Sequence, residues 1–585
     1  MFLEKIDSPR DLKKLTPAER VELAKEMRHA LLMRASEHGG HFGPDFGMVE
    51  ATIALHTVFD SPKDKFVFDV SHQAYSHKML TGRKQAYLDP AHYNDVSGYT
   101  NPEESEHDMF NIGHTSTSIS LASGLAKARD LLGKKENIIA IIGDGSMSGG
   151  EALEGLDTVG EMGTNMIIVL NDNDMSIAEV HGGMYKCFRE LRETNGNAEH
   201  NLFKAMGLDY RFVADGNDTE ALIAAFREVK DIDHPVVVHI VTQKGKGYKF
   251  AEEDKEGWHW HLPFDIETGK NKFDFIDANA NLTAEHLLKK MEEDEKLVVI
   301  AAATPSCMAF TPERRKKAGK QYIDVGIAEE QAVAMASGLA KNGAHPVFAT
   351  YSTFYQRTYD QLSQDVCINN NPATFLVFWS SMYTMNDVTH LCIFDIPLMS
   401  NIPNLVYLAP TSQEEYLAML DWSIEQNEHP VAIRVPVPTV GSSNRAVRKD
   451  YSQLNKYELV KKGSRVAIIG LGNFYELGEK AAEELKKQGI EATLINPLYI
   501  TGVDKDRLTK LKDDHQLVIT LEDGVLDGGF GEKITRFYGA DKMRVLNFGL
   551  DKKFYDRYDF ADLAKEQHLT PEQIAEDAMN VLKSL

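Results

Sequence analysis

A chain of 585 residues is too long for one hydrophobic core, and at ~150 residues per domain it implies three or four domains. Its 88 acidic residues against 64 basic ones leave a formal charge of −24, which argues against nucleic acid or anionic membrane as the main partner but still allows a local basic pocket for an anionic small substrate. With 43% hydrophobic and 26% charged residues, the composition is that of a globular chain, not a disordered or fibrous one.

The first ten residues carry charges where a signal peptide needs an apolar core, and no apolar run approaches the length of a membrane span. Cys187, Cys307, Cys367 and Cys392 are scattered with no C-x-x-C pair, so neither a disulfide framework nor a zinc site is expected, and a reducing, cytoplasmic setting is. Thr16-Pro17-Ala18-Glu19 sets an N-cap, a first-turn proline and a capping-box glutamate ahead of an amphipathic helix that should run to Gly39-Gly40. Short apolar runs then recur at 137–142, 166–170, 235–241, 297–303, 346–350, 374–378, 405–408, 466–469, 493–495 and 517–520, each followed by a helical pattern. Such Val/Ile/Leu runs fit parallel strands buried on both faces, so the expected fold class is α/β with doubly wound open sheets. Residues 249–282, charged, aromatic and without clear periodicity, read as a linker or crossover, and 437–455, with its prolines, adjacent serines and charges, as a second linker, dividing the chain into three units at 1–275, 276–450 and 451–585. Gly470-Leu471-Gly472 follows a strand, but Tyr475 stands where a dinucleotide fingerprint has its third glycine, so it reads as a tight turn.

The sharpest chemical signal is Gly143-Asp144-Gly145-Ser146 followed, one strand–helix–strand unit later, by Asn171-Asp172-Asn173. Both motifs fall at carboxyl ends of expected strands, where open α/β sheets bind ligands. Oxygen ligands from Asp144, Asn173 and a nearby backbone carbonyl such as that of Met175 suit Mg²⁺, which favours octahedral oxygen coordination and shares itself with phosphates. Gly145 would let backbone approach a phosphate, and the following helix start adds amide donors.

This pair is the diphosphate and metal motif of thiamine-diphosphate enzymes, and the chain resembles the 1-deoxy-D-xylulose-5-phosphate synthase family, relatives of transketolase, along nearly its whole length. The resemblance is carried by Gly40-His41-Phe42, Asp69-Val70-Ser71-His72-Gln73-Ala74-Tyr75-Ser76-His77-Lys78 and Gly113-His114-Thr115-Ser116-Thr117-Ser118-Ile119-Ser120. It continues through Lys244-Gly245-Lys246-Gly247-Tyr248, Asp324-Val325-Gly326-Ile327-Ala328-Glu329 and Tyr351-Ser352-Thr353-Phe354-Tyr355-Gln356-Arg357. It implies three doubly wound domains of transketolase type, a homodimer supported by the third domain, and thiamine diphosphate with Mg²⁺ bound between the first and second domains.

By resemblance, Glu329 hydrogen-bonds the cofactor's aminopyrimidine and favours the tautomer that deprotonates the thiazolium carbon, and Phe354 stacks on the pyrimidine. His72 and His114 lie near the cofactor with Gly143, Gly145, Ser146 and Asn173, while Asp144, Asn173 and Met175 hold the metal. His41 and His259 are candidates for proton transfer, a task suited to imidazole. His390, Tyr351 and Arg357 face the substrate. The implied reaction decarboxylates pyruvate and adds the two-carbon unit to an aldose, glyceraldehyde 3-phosphate in the family. Its product, 1-deoxy-D-xylulose 5-phosphate, feeds isoprene and thiamine biosynthesis. Ketol transfer from a ketose donor and a non-catalytic thiamine-binding role are the alternatives.

The chain departs from the family pattern at the acceptor side. Two arginines that the family uses to hold the acceptor's phosphate are Trp379 and Val437 here, within Phe378-Trp379-Ser380-Ser381 and Arg434-Val435-Pro436-Val437-Pro438. Neither replacement offers charge or a bidentate fork, so a phosphorylated acceptor should lose ~1.5–3 kcal/mol per contact. Lys244, Lys246, Arg357 and Arg434 remain as basic residues near the site by motif order. Glu330 and Gln331 replace a family glutamine and histidine, Thr384 to His390 replace a glycine-containing stretch, and the segment after Ile177 is much shorter than in the family.

Overall fold

The computed structural model describes residues 1–585 except 274, 276, 438 and 439. Two compact units result: Met1–Phe275 with Gly326–Ala328, and Ile276–Val325 with Glu329–Leu585.

In the first unit, strands β1 (Lys65–Phe68), β2 (Ile138–Gly143), β3 (Met166–Asp172), β4 (Asp209–Val213) and β5 (Pro235–Val241) form one sheet in the order β1-β2-β3-β5-β4. All neighbours run parallel. Alternate side chains of β2 and β3 feed two different cores. Ile138, Ala140, Ile142, Ile168 and Leu170 join one, while Ile139, Ile141, Ile167 and Val169 join the other. Each such side chain taken from water contributes ~1.5–3 kcal/mol, which is why these strands read as unbroken apolar runs. The helix Pro17–His38 starts on the expected capping box: Glu19 N–H donates to Thr16 Oγ1, and the Glu19 carboxylate accepts from Thr16 N–H at 2.7 Å. It ends at Gly39, whose φ of +74° is the left-handed stop that glycine adopts without strain.

The second unit contains two sheets. Strands β6 (Leu297–Ala301), β7 (Tyr322–Asp324), β8 (His345–Tyr351), β9 (Thr374–Phe378), β10 (Val406–Leu408) and β11 (Val431–Val435) are ordered β10-β11-β9-β8-β6-β7, all parallel. Strands β12 (Glu458–Lys461), β13 (Arg465–Gly470), β14 (Thr493–Asn496), β15 (His515–Val525) and β16 (Arg544–Leu550) are ordered β12-β14-β13-β15-β16, with only β12 antiparallel. One continuous apolar core takes Phe348, Phe375 and Tyr407 from the first of these sheets and Ala467, Ile469 and Val518 from the second. That shared core makes them one compact unit.

Two expectations change. Most of 249–264 is folded, not a linker: Trp260–His261 pairs with Gly40–His41, and Tyr248, Trp258 and Phe264 bury their rings around Phe42. The aromatic content that obscured the periodicity is itself the packing. Residue 282 lies inside the helix Ala278–Glu293, capped by Asp277, while 274 and 276 lie outside the described residues. The stretch 437–455 carries no helix or strand among its described residues, and Pro438 and Thr439 lie outside them. The turn at Gly470-Leu471-Gly472 is as read, with Gly472 at φ +55°. Among the described residues no helix is long and apolar enough to cross a membrane.

Candidate active site

Parallel pairing of β2 with β3 sets Gly143 opposite Asn171, so Asp144 and Asn173 emerge at the same end of adjacent strands. Asp144 N–H donates to the Asn171 carbonyl at 3.0 Å, and Met175 N–H donates to Asp144 Oδ2 at 3.2 Å. Asp144 is 2% exposed, and burial together with the charge of Asp172 pushes its carboxyl well above the usual range. A cation is what would reverse that shift. Asn173 Oδ1 is buried with no hydrogen-bond partner among the described residues. Leaving such an atom unmatched costs ~1–3 kcal/mol, so an oxygen that points at no protein donor fits a metal ligand. No group of three His, Cys, Asp or Glu side chains that could hold a metal occurs among the described residues. A carboxylate, an amide oxygen and a backbone carbonyl form a different donor set. A Cβ on Gly145 would stand 3.0 Å from Ser176, so glycine is needed for the close approach of these two loops, whereas one on Gly143 would meet open space.

Asp172, next to this pair, has a structural task. It accepts two bonds from Arg192 Nη1 at 2.7 Å and meets His239 Nε2 at 2.8 Å. Burial alone would raise its pKa, but His239 and Arg192 hold it below the usual value. Lys244, expected near the site by motif order, is part of this region. Its ammonium is 2% exposed, donates to the Ser176 carbonyl at 2.6 Å, and is brought down to about 7 by burial, against the pull of Asp144. Buried on a carbonyl, it is not available as an acceptor-phosphate ligand.

Three of the expected histidines meet although they are far apart in the chain. Ring centroids of His41 and His72 are 5.0 Å apart, His72 and His259 5.0 Å, and His41 and His259 5.4 Å. Burial, only partly offset by the Gln73 bond, lowers His72 to about 4, and burial with Lys244 and the other two rings pushes His259 well below its usual value. Both are therefore neutral near pH 7, able to accept a proton. His259 Nδ1 has no hydrogen-bond partner among the described residues. His114 is half-buried on a loop ending at the helix Ser118–Leu131.

The loops carrying His72 and His114 share an anchor that motif reading did not assign. Asp69 is fully buried, and its two oxygens accept from Ser116 N–H at 2.8 Å and Ser118 N–H at 3.0 Å. Ser71 Oγ donates to the Ile112 carbonyl, and Ser116 Oγ donates to the carbonyl of Ser146 at 2.8 Å. Val70, Ser71 and Ser116 have φ of +49°, +61° and +74°. Left-handed backbone at non-glycine residues costs ~1–3 kcal/mol each and persists only where surrounding bonds over-determine it.

In the second unit Glu329 opens the helix Glu329–Lys341 and is 2% exposed. Burial raises its carboxyl to about 7 against Arg357, whose Nη1 stands 3.9 Å from Oε2, and Oε2 has no hydrogen-bond partner among the described residues. A carboxylic acid kept protonated at neutral pH can donate to a ring nitrogen. Tyr351, at the end of β8, packs 6.1 Å from Phe354 and 4.9 Å from Trp379, and Phe354 lies 5.9 Å from His390. His390 is 8% exposed, with Nδ1 2.9 Å from Thr389 Oγ1. Trp379 donates its indole N–H to Asp277 Oδ2 at 2.8 Å. Arg434 is removed from the candidate phosphate ligands: it is 1% exposed and bonds Asp395 through Nε at 2.6 Å and Nη2 at 3.1 Å.

Comparison with known proteins places these motifs in context. Residues 3–199 and 194–242 match the family model described as 1-deoxy-D-xylulose-5-phosphate synthase, 278–441 the transketolase pyrimidine binding domain, and 455–574 the transketolase C-terminal domain. The 1-deoxy-D-xylulose-5-phosphate synthase of Caldanaerobacter subterraneus subsp. tengcongensis is 36% identical over 622 residues, covering 100% of both chains. That of Alkaliphilus oremlandii is 37% identical over 98% of each. Among solved structures, a transketolase from Campylobacter jejuni superposes with a TM-score of 0.45 at 16% identity, covering 96% of this chain and 99% of its own.

Proposed function

The chain belongs to the 1-deoxy-D-xylulose-5-phosphate synthase family, and on that premise we propose a thiamine-diphosphate-dependent transferase that decarboxylates pyruvate and joins the two-carbon unit to an aldose. Its three functional regions are proposed at 1–275 for the diphosphate, 276–450 for the pyrimidine and 451–585 as the carboxy-terminal domain. Thiamine diphosphate, when bound, supplies the carbon nucleophile and electron sink that let a 2-oxo acid lose carbon dioxide. Gly143, Gly145, Ser146, His72 and His114 would hold its diphosphate side, with Mg²⁺ on Asp144, Asn173 Oδ1 and the Met175 carbonyl. Phe354 would pack on the pyrimidine. The Glu329 carboxyl, raised to about 7 and so still substantially protonated near neutral pH, would donate to a pyrimidine nitrogen. His41 and His259, whose rings cluster with that of His72, would take and return protons at the substrate's oxygens. His390, Tyr351 and Arg357 would orient the substrates. We infer a cytoplasmic setting, supported by four cysteines that form no disulfide, and, from the family, a homodimer.

The observation that carries this reading is the buried, unpartnered Asn173 Oδ1 beside the raised carboxyl of Asp144. The test is carbon dioxide release from pyruvate in the presence of the cofactor, Mg²⁺ and either glyceraldehyde 3-phosphate or glyceraldehyde. Release that depends on an aldehyde supports the proposal, and none with any acceptor overturns it. Because Trp379 donates to Asp277 and Arg434 is sequestered on Asp395, the acceptor's phosphate should improve the specificity constant by less than about a thousandfold, roughly 4 kcal/mol.

A further inference from the structure

Between β9 and the helix Asp395–Met399 the chain runs from Trp379 to Phe394 without a helix or strand, yet it carries Trp379 and His390. Ser380, Ser381 and Met382 are fully buried in it. Local bonds account for part of this order: Ser380 Oγ donates to the Val377 carbonyl, and Thr384 Oγ1 to the carbonyls of Trp379 and Ser381. Trp379 sits at φ +62°, a conformation that a bulky residue holds only against strain.

The remaining bonds come from the carboxy-terminal sheet. Asp523 on β15 is fully buried, and its carboxylate accepts from Ser381 Oγ at 2.5 Å and Met382 N–H at 2.8 Å. It accepts also from Asn473 Nδ2 at 2.5 Å, so both oxygens are committed. Val525 N–H donates to the Ile393 carbonyl at 3.1 Å. From the loop after β16, Tyr558 OH donates to the Met382 carbonyl at 2.9 Å, and Asn386 Nδ2 donates to the Tyr558 carbonyl at 3.0 Å. Arg557 N–H donates to the Asn386 carbonyl, and Val388 N–H to Asp556 Oδ1 at 3.2 Å. The third domain thus grips this loop at 381–382, 386, 388 and 393, starting two residues after the strained Trp379 and continuing on both sides of His390.

We propose that the carboxy-terminal domain is the template of the acceptor loop, with Asp523 and Tyr558 as positioning residues that set Trp379 and His390 toward the aldehyde. Charge-assisted bonds to a buried carboxylate are the strong kind, and a displacement of about 1 Å in an orienting side chain suffices to lower turnover by about a hundredfold. The inference rests on the reading of Trp379 and His390 as substrate-side residues.

The experiment compares Asp523→Asn, Ser381→Ala, their double variant, Tyr558→Phe and Trp379→Ala in the full-length holoenzyme. It measures KM for glyceraldehyde 3-phosphate and for pyruvate, kcat, the Kd for thiamine diphosphate and Tm. Asp523→Asn should raise the aldehyde KM about tenfold and Tyr558→Phe about threefold, with pyruvate KM and cofactor Kd within about twofold. Ser381→Ala should add nothing in the Asp523→Asn background, because the two groups form one bond. Parallel losses in aldehyde, pyruvate and cofactor parameters would mark a general structural role and overturn the proposal. So would an unchanged aldehyde KM in Tyr558→Phe and Ser381→Ala, which retain the carboxylate and test the grip even if Asp523→Asn does not fold. If Trp379→Ala leaves the aldehyde KM unmoved, the substrate-side reading itself fails. If it moves KM while the three clamp variants do not, only the template role is lost.

Discussion

Glu329→Gln tests the site most directly, because the structure sets the sign and size of a pH effect that needs no substrate. The carboxyl ordinarily titrates at 4.5 and is raised to about 7 here, chiefly by burial, with Arg357 opposing. The folded form therefore binds a proton that the unfolded form has already released, and the slope of unfolding free energy with pH is negative between those values. At 1.36 kcal/mol per unit, ionising the buried group costs about 3 kcal/mol above pH 7, and nothing below pH 4.5, where both states are protonated. Glutamine has the same shape and no proton to lose. The difference in stability, variant minus wild type, should thus climb by about 3 kcal/mol from about pH 5 to about pH 8. Taking the difference cancels other titrating groups, including Glu522, which burial also raises to about 7. Hydrogen exchange of β8 in the cofactor-free protein, read by mass spectrometry across that range, reports the second unit specifically. A flat difference curve, or one that falls with pH, refutes the argument that Glu329 is a buried acid. Turnover of the loaded variant should fall by about 10²–10⁴-fold, the range of a lost acid–base group.

Asn173→Leu should raise the Kd of thiamine diphosphate measured with Mg²⁺ at least tenfold. It should leave the Tm of the cofactor-free protein unchanged or higher, because the amide oxygen removed has no protein partner. Asp69→Ala strips the acceptor from two buried N–H groups and should cost about 2–5 kcal/mol in urea unfolding of the first unit, with Asp69→Asn losing less. Arg434→Met leaves Asp395 charged and buried, so the second unit should lose about 3–5 kcal/mol, while Arg434→Met with Asp395→Leu should recover most of it. Calorimetry of the single and double variants decides, and an equally unstable double variant would show that the pair is not the cause.

The interior strands were legible because a strand buried on both faces must be apolar at every position. β2, β3, β5, β8 and β9 all lie inside their sheets and all read directly. The strands that escaped are mostly edges: β1, β4, β7, β12 and β16 each have a neighbour on one side only, and solvent or loops admit polar residues there. β11 escaped for another reason. It is interior, but Arg434 breaks its apolar run, and only the packing reveals Asp395 as the partner that makes an arginine tolerable in a core.

The same division of range separates the parts of the site. Asp144 and Asn173 are one strand–helix–strand unit apart, so the sequence by itself determined that they share the carboxyl end of one sheet, since a right-handed crossover of that length allows little else. It also determined the glycine at 145 and the missing arginines at 379 and 437. The meeting of His41, His72 and His259 was decided only by the tertiary structure, which alone could bring a strand from 260–261 alongside 40–41. So were the anchoring of two loops on Asp69 and the grip of Asp523 on Ser381, bonds spanning 47 and 142 positions. Nothing local announces them, because a carboxylate has the same propensity on a surface as in a core. Its meaning depends on which distant donors the fold delivers to it.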